Sequence, residues 1–170
     1  MTDPMVKIRR HLESVPVNVE QMIRDVGINL KKNSDLPENI SGHIRPIDGR
    51  YEIASSKTDH YFRQRFTMAH ELGHYILHRD MIGQGVDDDT MYRSTPEGEF
   101  YNTAIHKIHE MQANSFAASV LMPEDLLRQE IVHQQEIGVV RLGDLAKKFQ
   151  VSPSAMRWRL KNLELYDGIE

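Results

Sequence analysis

Residues 70 to 74 read His-Glu-Leu-Gly-His inside a stretch with helical periodicity, and this pattern constrains the fold more than any other. On a helix, His70 and His74 lie about 40° apart around the axis and roughly 6 Å apart along it. Two imidazoles on one face can therefore bind one zinc ion. Glu71 lies about 100° around the helix from His70, where it can take a proton from water at the metal. The pattern predicts the metal-binding helix of a zinc protease.

The residues around this motif favour a helix. Apolar or small side chains recur at helical spacing, at Phe62, Phe66, Ala69, Gly73, Ile76 and Leu77. A glycine inside a helix costs about 1 kcal/mol relative to alanine, so we expect another element to pack closely against Gly73. On this motif alone, a histidine-rich amphipathic helix that binds no metal is the alternative.

A catalytic zinc ion usually takes a third protein ligand in addition to a water molecule. His78 continues the four-residue spacing of the two motif histidines. An unbroken helix would place it about 12 Å along the axis from His70, too far to bind the same ion. We expect His78 to cap the helix end instead, near the negative end of the helix dipole.

A second helical pattern, around residue 110, offers the third ligand. Its apolar positions are Ile105, Ile108, Phe116, Val120 and Leu121. Small side chains would let this helix approach the first closely, at Ala113, Ala117 and Ala118. Glu110 is predicted to complete a His-His-Glu set, and Asn114, one turn later, to hydrogen-bond a ligand imidazole and fix its orientation. His106 and His109 are rival ligands.

Two long motifs carry a family resemblance. Residues 65 to 78 read RFTMAHELGHYILH, and residues 110 to 123 read EMQANSFAASVLMP. In this order they resemble the signature of the ImmA/IrrE family of metallopeptidases, whose second motif supplies the third zinc ligand. Ser41-Gly42 before a short hairpin and the run Arg63-Gln64-Arg65 also match the family's layout, so the resemblance covers roughly residues 17 to 165.

The resemblance implies a substrate as well as a reaction. It implies a zinc-dependent endopeptidase that cuts a helix-turn-helix transcriptional repressor, commonly encoded nearby, so that silenced stress or mobile-element genes switch on. Two alternatives stay open. One is a broad-acting peptidase toxin, and the other is a DNA-binding regulator that uses its C-terminal helices.

We predict an α+β fold, with a mostly helical, zincin-like metallopeptidase core and a small antiparallel sheet. The predicted elements are a helix from Asp3-Pro4 to about Leu12, a helix from the cap Asn18 to Gly27, a strand at 28–31, and a hairpin of 43–47 and 51–55 around Asp48-Gly49. An edge strand of that hairpin would pair with substrate backbone, and a purely structural sheet is the alternative. We divide the chain into a core of residues 1–122 and a C-terminal helical segment of residues 123–170.

The C-terminal segment predicts a helix-turn-helix-like arrangement. A helix follows Pro123, and two more surround the cap Ser152-Pro153. Basic side chains near Trp158 would suit DNA phosphates, at Arg157, Arg159 and Lys161. Residues 141 to 170 nevertheless carry six basic and four acidic groups. This excess is small, so we favour packing or partner binding over DNA binding.

The segment between the two motifs, residues 79 to 104, predicts a loop that is longer than the family leads us to expect. Asp87, Asp88 and Asp89 lack the spacing of a calcium loop and predict a solvated run. Candidates for an oxyanion-stabilising side chain are Tyr92, Arg93 and Tyr101. Ordinary loop side chains are the alternative at each of these positions.

Composition and charge are typical of a small cytoplasmic enzyme. The 170 residues include no cysteine, which excludes a disulfide framework and a thiolate nucleophile. A net charge of −4 gives no overall attraction to nucleic acid. No apolar run approaches the ~18 residues of a membrane span, and the first residues lack the apolar stretch of a signal peptide. We therefore expect a cytoplasmic protein that makes no membrane contact.

Overall fold

The computed structural model describes residues 3–82 and 107–170, together with the backbone of residues 92–94. The predictions for His106, for Tyr101 and for the aspartates at positions 87 to 89 lie outside the described residues. So do those for the side chains of Tyr92 and Arg93.

Helices dominate the described residues and a small sheet accompanies them, which confirms the α+β class. The helices are α1 (Pro4–Arg9), α2 (Val19–Val26), α3 (Tyr61–Leu77), α4 (Lys107–Leu121), α5 (Glu124–Ile137), α6 (Leu142–Phe149) and α7 (Pro153–Asn162). The strands are β1 (Asn29–Ser34), β2 (Gly42–Ile47), β3 (Arg50–Ser56) and β4 (Tyr92–Ser94). Within the described ranges, none of the helices combines the length and apolar character that crossing a bilayer requires.

The predicted helix starts near the N-terminus follow from side-chain capping. The Asp3 carboxylate accepts the backbone N–H of Met5, and the Asn18 side chain accepts that of Gln21. Gly27 ends α2 with φ of 97°, a conformation that glycine adopts without steric cost. Both ends of α2 are confirmed, whereas α1 ends earlier than predicted.

The sheet has the order β1-β3-β2-β4 and is mixed. β2 pairs antiparallel with β3 and with β4, but β1 pairs parallel with β3. The small antiparallel sheet that we predict is antiparallel in two of its three pairs, and the β1–β3 pair is parallel because β1 lies beside the second strand of the hairpin and not beside the first. The hairpin also offers no free edge along Gly42–Ile44, where β2 pairs on both sides.

Gln64, in the first turns of α3, fastens this helix to the sheet. Its amide oxygen accepts a hydrogen bond from Ser55 Oγ at 3.1 Å. Its amide nitrogen donates to Asn33 Oδ1 and to the Asp59 carbonyl, both at 3.0 Å. A buried amide with all these bonds made fixes the position of α3 on the strands.

Arg65, one residue later, ties α3 to distant parts of the chain. Its buried guanidinium donates to the Val17 carbonyl at 2.9 Å and to the Gln150 carbonyl, at the end of α6, at 3.2 Å. One hydrophobic cluster runs through the same region and includes Ile8, Ile23, Leu72, Leu121 and Phe149. The division of the chain at residue 122 stays a prediction, and this cluster crosses it.

We expect Arg65→Met to lower the free energy of unfolding by about 2 to 4 kcal/mol, because the buried carbonyls of Val17 and Gln150 lose their donor. Urea denaturation followed by circular dichroism measures the change. The matched control is Arg63→Met, since Arg63 is exposed on the same helix. Equal losses in the two variants would contradict the stabilising role of Arg65.

Candidate metal centre

His70 and His74 of α3 meet Glu110 of α4 in a buried cluster. Nε2 of His70 lies 3.0 Å from Oε2 of Glu110, and Nε2 of His74 lies 3.0 Å from Oε1. The two Nε2 atoms are 3.1 Å apart. Among the described residues, this is the group of acidic and histidine side chains whose atoms lie close enough together to hold a metal ion.

The donor atoms of this triangle fit a divalent ion. Ligands about 2.0–2.1 Å from a tetrahedral ion lie roughly 3.3 Å from one another. The observed separations of 3.0 and 3.1 Å are close to that value. Two imidazole nitrogens with one carboxylate are also a donor set that catalytic zinc sites use. The structure thus brings together the three residues predicted as ligands.

The remaining nitrogen of each imidazole has a partner that orients its ring. His70 Nδ1 lies 2.8 Å from Oδ1 of Asn114. Because an amide oxygen only accepts, Nδ1 of His70 carries a hydrogen, so Nε2 is the nitrogen that would bind a metal ion. His74 Nδ1 lies 3.1 Å from Nδ1 of His78, whose Nε2 lies 2.8 Å from Oε1 of Gln112. Asn114 therefore lies where the sequence predicts an orienting side chain.

His78 ends α3, and its backbone N–H donates to the His74 carbonyl at 2.8 Å. The predicted position at the helix end is confirmed, but the contact of its side chain with His74 was not predicted. The repeated four-residue spacing is the signal that could have found it. Nothing in the sequence singles out Gln112. The rival ligand His109 lies beyond His78, with ring centroids 4.9 Å apart, and is not in the metal cluster.

The two helices pack most closely at Gly73. A Cβ atom there would lie 3.1 Å from Phe116 Cδ1 and 3.2 Å from Cα of Ala113. Ala113 and Ala117 are fully buried in the contact. This is the close packing that the sequence predicts for Gly73, and it brings Glu110 within reach of the imidazoles.

Burial and charge set the protonation of the cluster when no ion is bound. Burial raises the pKa of Glu110, but hydrogen bonds from His70 and His74 outweigh this and lower it to about 2. Burial lowers the pKa of His74 to about 4, despite its hydrogen bond to Glu110. Burial also opposes the charged form of His70, yet the hydrogen bond to Glu110 and the negative charge of the fully buried Glu71 raise its pKa. The charged form is therefore favoured more in His70 than in His74 when no ion is bound.

The basic side chains proposed for DNA contact are mostly engaged within the molecule. Nε of the half-buried Arg159 donates to the Met122 carbonyl at 3.1 Å. Nζ of Lys161 lies 5.3 Å from the centroid of the Tyr166 ring. Arg157 is exposed. These contacts favour the packing alternative for α7.

Comparison with known proteins covers most of the chain. Residues 23–161 match the family described as Peptidase M78, IrrE N-terminal-like domain. The chain is 35% identical over 98 residues to the radiation response metalloprotease IrrE of Deinococcus radiodurans, which covers 58% of this chain and 27% of that protein. A transcriptional regulator of Mycobacterium tuberculosis has a similar fold, with a TM-score of 0.59 and 17% identity over 93% of this chain and 46% of its own. The chain thus spans about a quarter of the first protein and under half of the second.

We expect Gly73→Ala to weaken metal binding by about tenfold and to lower the free energy of unfolding by about 1 to 3 kcal/mol. The added methyl group meets the backbone of Ala113, which cannot move aside, so the helices must separate. Gly143→Ala is the matched control, because a Cβ at this glycine of α6 meets nothing within 4 Å. Its better helix propensity should raise stability, by up to about 1 kcal/mol. If both variants gain stability equally, the close packing does not constrain the site.

Metal affinity should increase with pH, because an ion must displace the proton on His70. The pKa of His70 is raised, so the competition is strongest below that pKa and disappears above it. Between about pH 5.5 and 8, competition with a chromophoric chelator should show up to about a tenfold rise in affinity per pH unit, levelling off at high pH. His133→Gln, at an exposed histidine, should leave the slope unchanged. A pH-independent affinity in the native chain would contradict this protonation.

Proposed function

The chain belongs to the Peptidase M78 family, the IrrE N-terminal-like domain, and on that basis we propose that it is a zinc-dependent endopeptidase acting in the cytoplasm. The observation that carries the proposal is the buried triangle of His70, His74 and Glu110, with Glu71 directly beside it in the sequence. These are the residue types and spacing that a metal-assisted peptide hydrolysis requires.

The residues of the site divide the work of hydrolysis. His70, His74 and Glu110 would hold the zinc ion, which when bound lowers the pKa of water and polarises a peptide carbonyl. Glu71 is the general base: it accepts the proton of the attacking water and passes it to the leaving nitrogen. A C–O bond forms as the C–N bond breaks, so one peptide leaves as an amine and the other as a carboxylate. Asn114 keeps the His70 ring in its ligating orientation.

We propose a helix-turn-helix repressor, encoded near this chain, as the substrate, cut once so that stress or mobile-element genes are transcribed. The name of the Deinococcus radiodurans relative, a radiation response metalloprotease, supports a role in a stress response. An open groove of about 590 Å³ beside His78 would accept apolar side chains of a peptide. Its apolar lining is formed by Leu77, Ile108, Met111 and Phe116.

We expect Glu71→Gln to keep one zinc ion per chain and to lower the cleavage rate by about 10²- to 10⁴-fold, because the amide cannot accept the proton of the attacking water. Elemental analysis and a cleavage assay measure the two properties separately. Glu136→Gln makes the same change at an exposed position of α5 and should keep the native rate. His70→Ala should lose both zinc and cleavage. Cleavage by Glu71→Gln at the native rate would show that another group is the base.

The substrate is tested by sequencing new protein N-termini after a pulse of expression, comparing the native chain with Glu71→Gln. We expect one dominant cut, in a helix-turn-helix repressor, that is absent with the variant. Cuts in many cellular proteins would favour a broad-acting peptidase instead. A native chain that holds less than one zinc ion after careful preparation and cuts nothing would count against an enzyme altogether.

A further inference from the structure

We propose that His78 and Gln112 act as positioning residues that fix the tautomer of His74, and hence the direction of its ligating lone pair. The proposal rests on the metal site of the proposed function and deepens it, because neither residue belongs to the His70–His74–Glu110 triangle. Two hydrogen bonds carry it, from His74 to His78 at 3.1 Å and from His78 to Gln112 at 2.8 Å.

The amide oxygen of Gln112 determines which ring nitrogen carries the hydrogen in His78, and through His78 in His74. Oε1 of Gln112 is an amide oxygen and can only accept, so Nε2 of His78 carries a hydrogen and donates it. In the neutral ring, Nδ1 of His78 is then an acceptor. In the metal-free site Nε2 of His74 donates to Glu110. A metal ion bound by these two residues would replace that hydrogen, and Nδ1 of His74 would then donate to Nδ1 of His78, which leaves Nε2 without a hydrogen and able to bind the ion. The opposite tautomer of His78 would reverse this order and place a hydrogen on the ligating nitrogen.

Helix α4 therefore orients both histidines of α3. Asn114 accepts from Nδ1 of His70 directly, at 2.8 Å. Gln112 has the same effect on His74 through one intervening ring. The helix that supplies Glu110 thus also selects the ligating tautomer of the other two predicted ligands.

A purely packing role for His78 is the alternative that the test must exclude. The ring is buried and lies between two other imidazoles, with centroids 5.2 Å from His74 and 4.9 Å from His109. Packing depends on the volume of the ring, whereas the proposed role depends on one acceptor at the position of Nδ1.

Two amide substitutions separate these roles. His78→Asn places an amide oxygen near the position of Nδ1, so it keeps an acceptor for His74 and loses the contact with Gln112. His78→Gln places its amide near the position of Nε2, so it keeps the contact with Gln112 and loses the acceptor. We expect zinc affinity, measured by chelator competition without any peptide, to fall by about 10- to 100-fold in His78→Gln and by much less in His78→Asn. Equal affinities in the two variants, or the reverse order, would overturn the proposal.

Gln112→Met tests the far end of the hydrogen-bond chain, because it removes the acceptor without touching either α3 ligand. We expect a measurable loss of zinc affinity, smaller than that of His78→Gln. Gln135→Met makes the same change at an exposed position of α5 and should leave the affinity unchanged. An unchanged affinity in Gln112→Met would show that Gln112 does not set the tautomer.

Nitrogen-15 NMR of the imidazoles in the zinc-loaded protein reads the tautomers directly, and a packing role would not determine them. We expect the hydrogen on Nδ1 in His70 and His74 and on Nε2 in His78. A hydrogen on Nδ1 of His78 would overturn the positioning role proposed for His78 and Gln112, while leaving the peptidase proposal intact. A native chain that binds no zinc would overturn both, and a zinc-bound native chain with the expected tautomers but no cleavage would overturn only the proposed enzyme.

Discussion

At Gly73, α3 and α4 lie so close together that a single added methyl group would meet Ala113 at 3.2 Å. A glutamate side chain is short, so Glu110 reaches both imidazoles only when the helices are this near. The small buried side chains of α4 permit the approach, and the packed interior around them resists any change of spacing. The geometry of the polar cluster is thus decided at apolar positions that touch none of its donor atoms.

The close packing of α3 and α4 also makes positive charge near the cluster favourable. Glu71 and Glu110 are both buried, and two carboxylates held in a poorly solvated place need positive charge nearby. Protonated imidazole meets that demand in part, which is why the pKa of His70 is raised. A divalent cation held by His70, His74 and Glu110 would meet it fully, because its two positive charges would balance the two carboxylates.

Local patterns were sufficient for much of this site. The spacing of His70 and His74 followed from helix geometry, and the small residues near Glu110 indicated which helix would pack against them. The parallel pairing of β1 with β3 was not predictable, because periodicity within a strand does not indicate which neighbour it joins. The role of Gln112 was not predictable either, because an exposed glutamine on a helix has no distinguishing sequence signal. Its contact with His78 is evident only from the position of the His78 ring.

Arg65 lies five residues before His70, yet its hydrogen bonds reach 48 residues back in the chain and 85 residues forward. If α6 detached locally, the buried guanidinium of Arg65 would lose the Gln150 carbonyl as its hydrogen-bond acceptor. Arg65 lies on α3, the helix that carries His70 and His74. Local unfolding of α6 is therefore coupled to the stability of α3, and the partial opening of one of these helices without the other is disfavoured. Loosening of the C-terminal end would thus cost more than its own contacts, because it also removes a hydrogen-bond partner from the helix that carries His70 and His74.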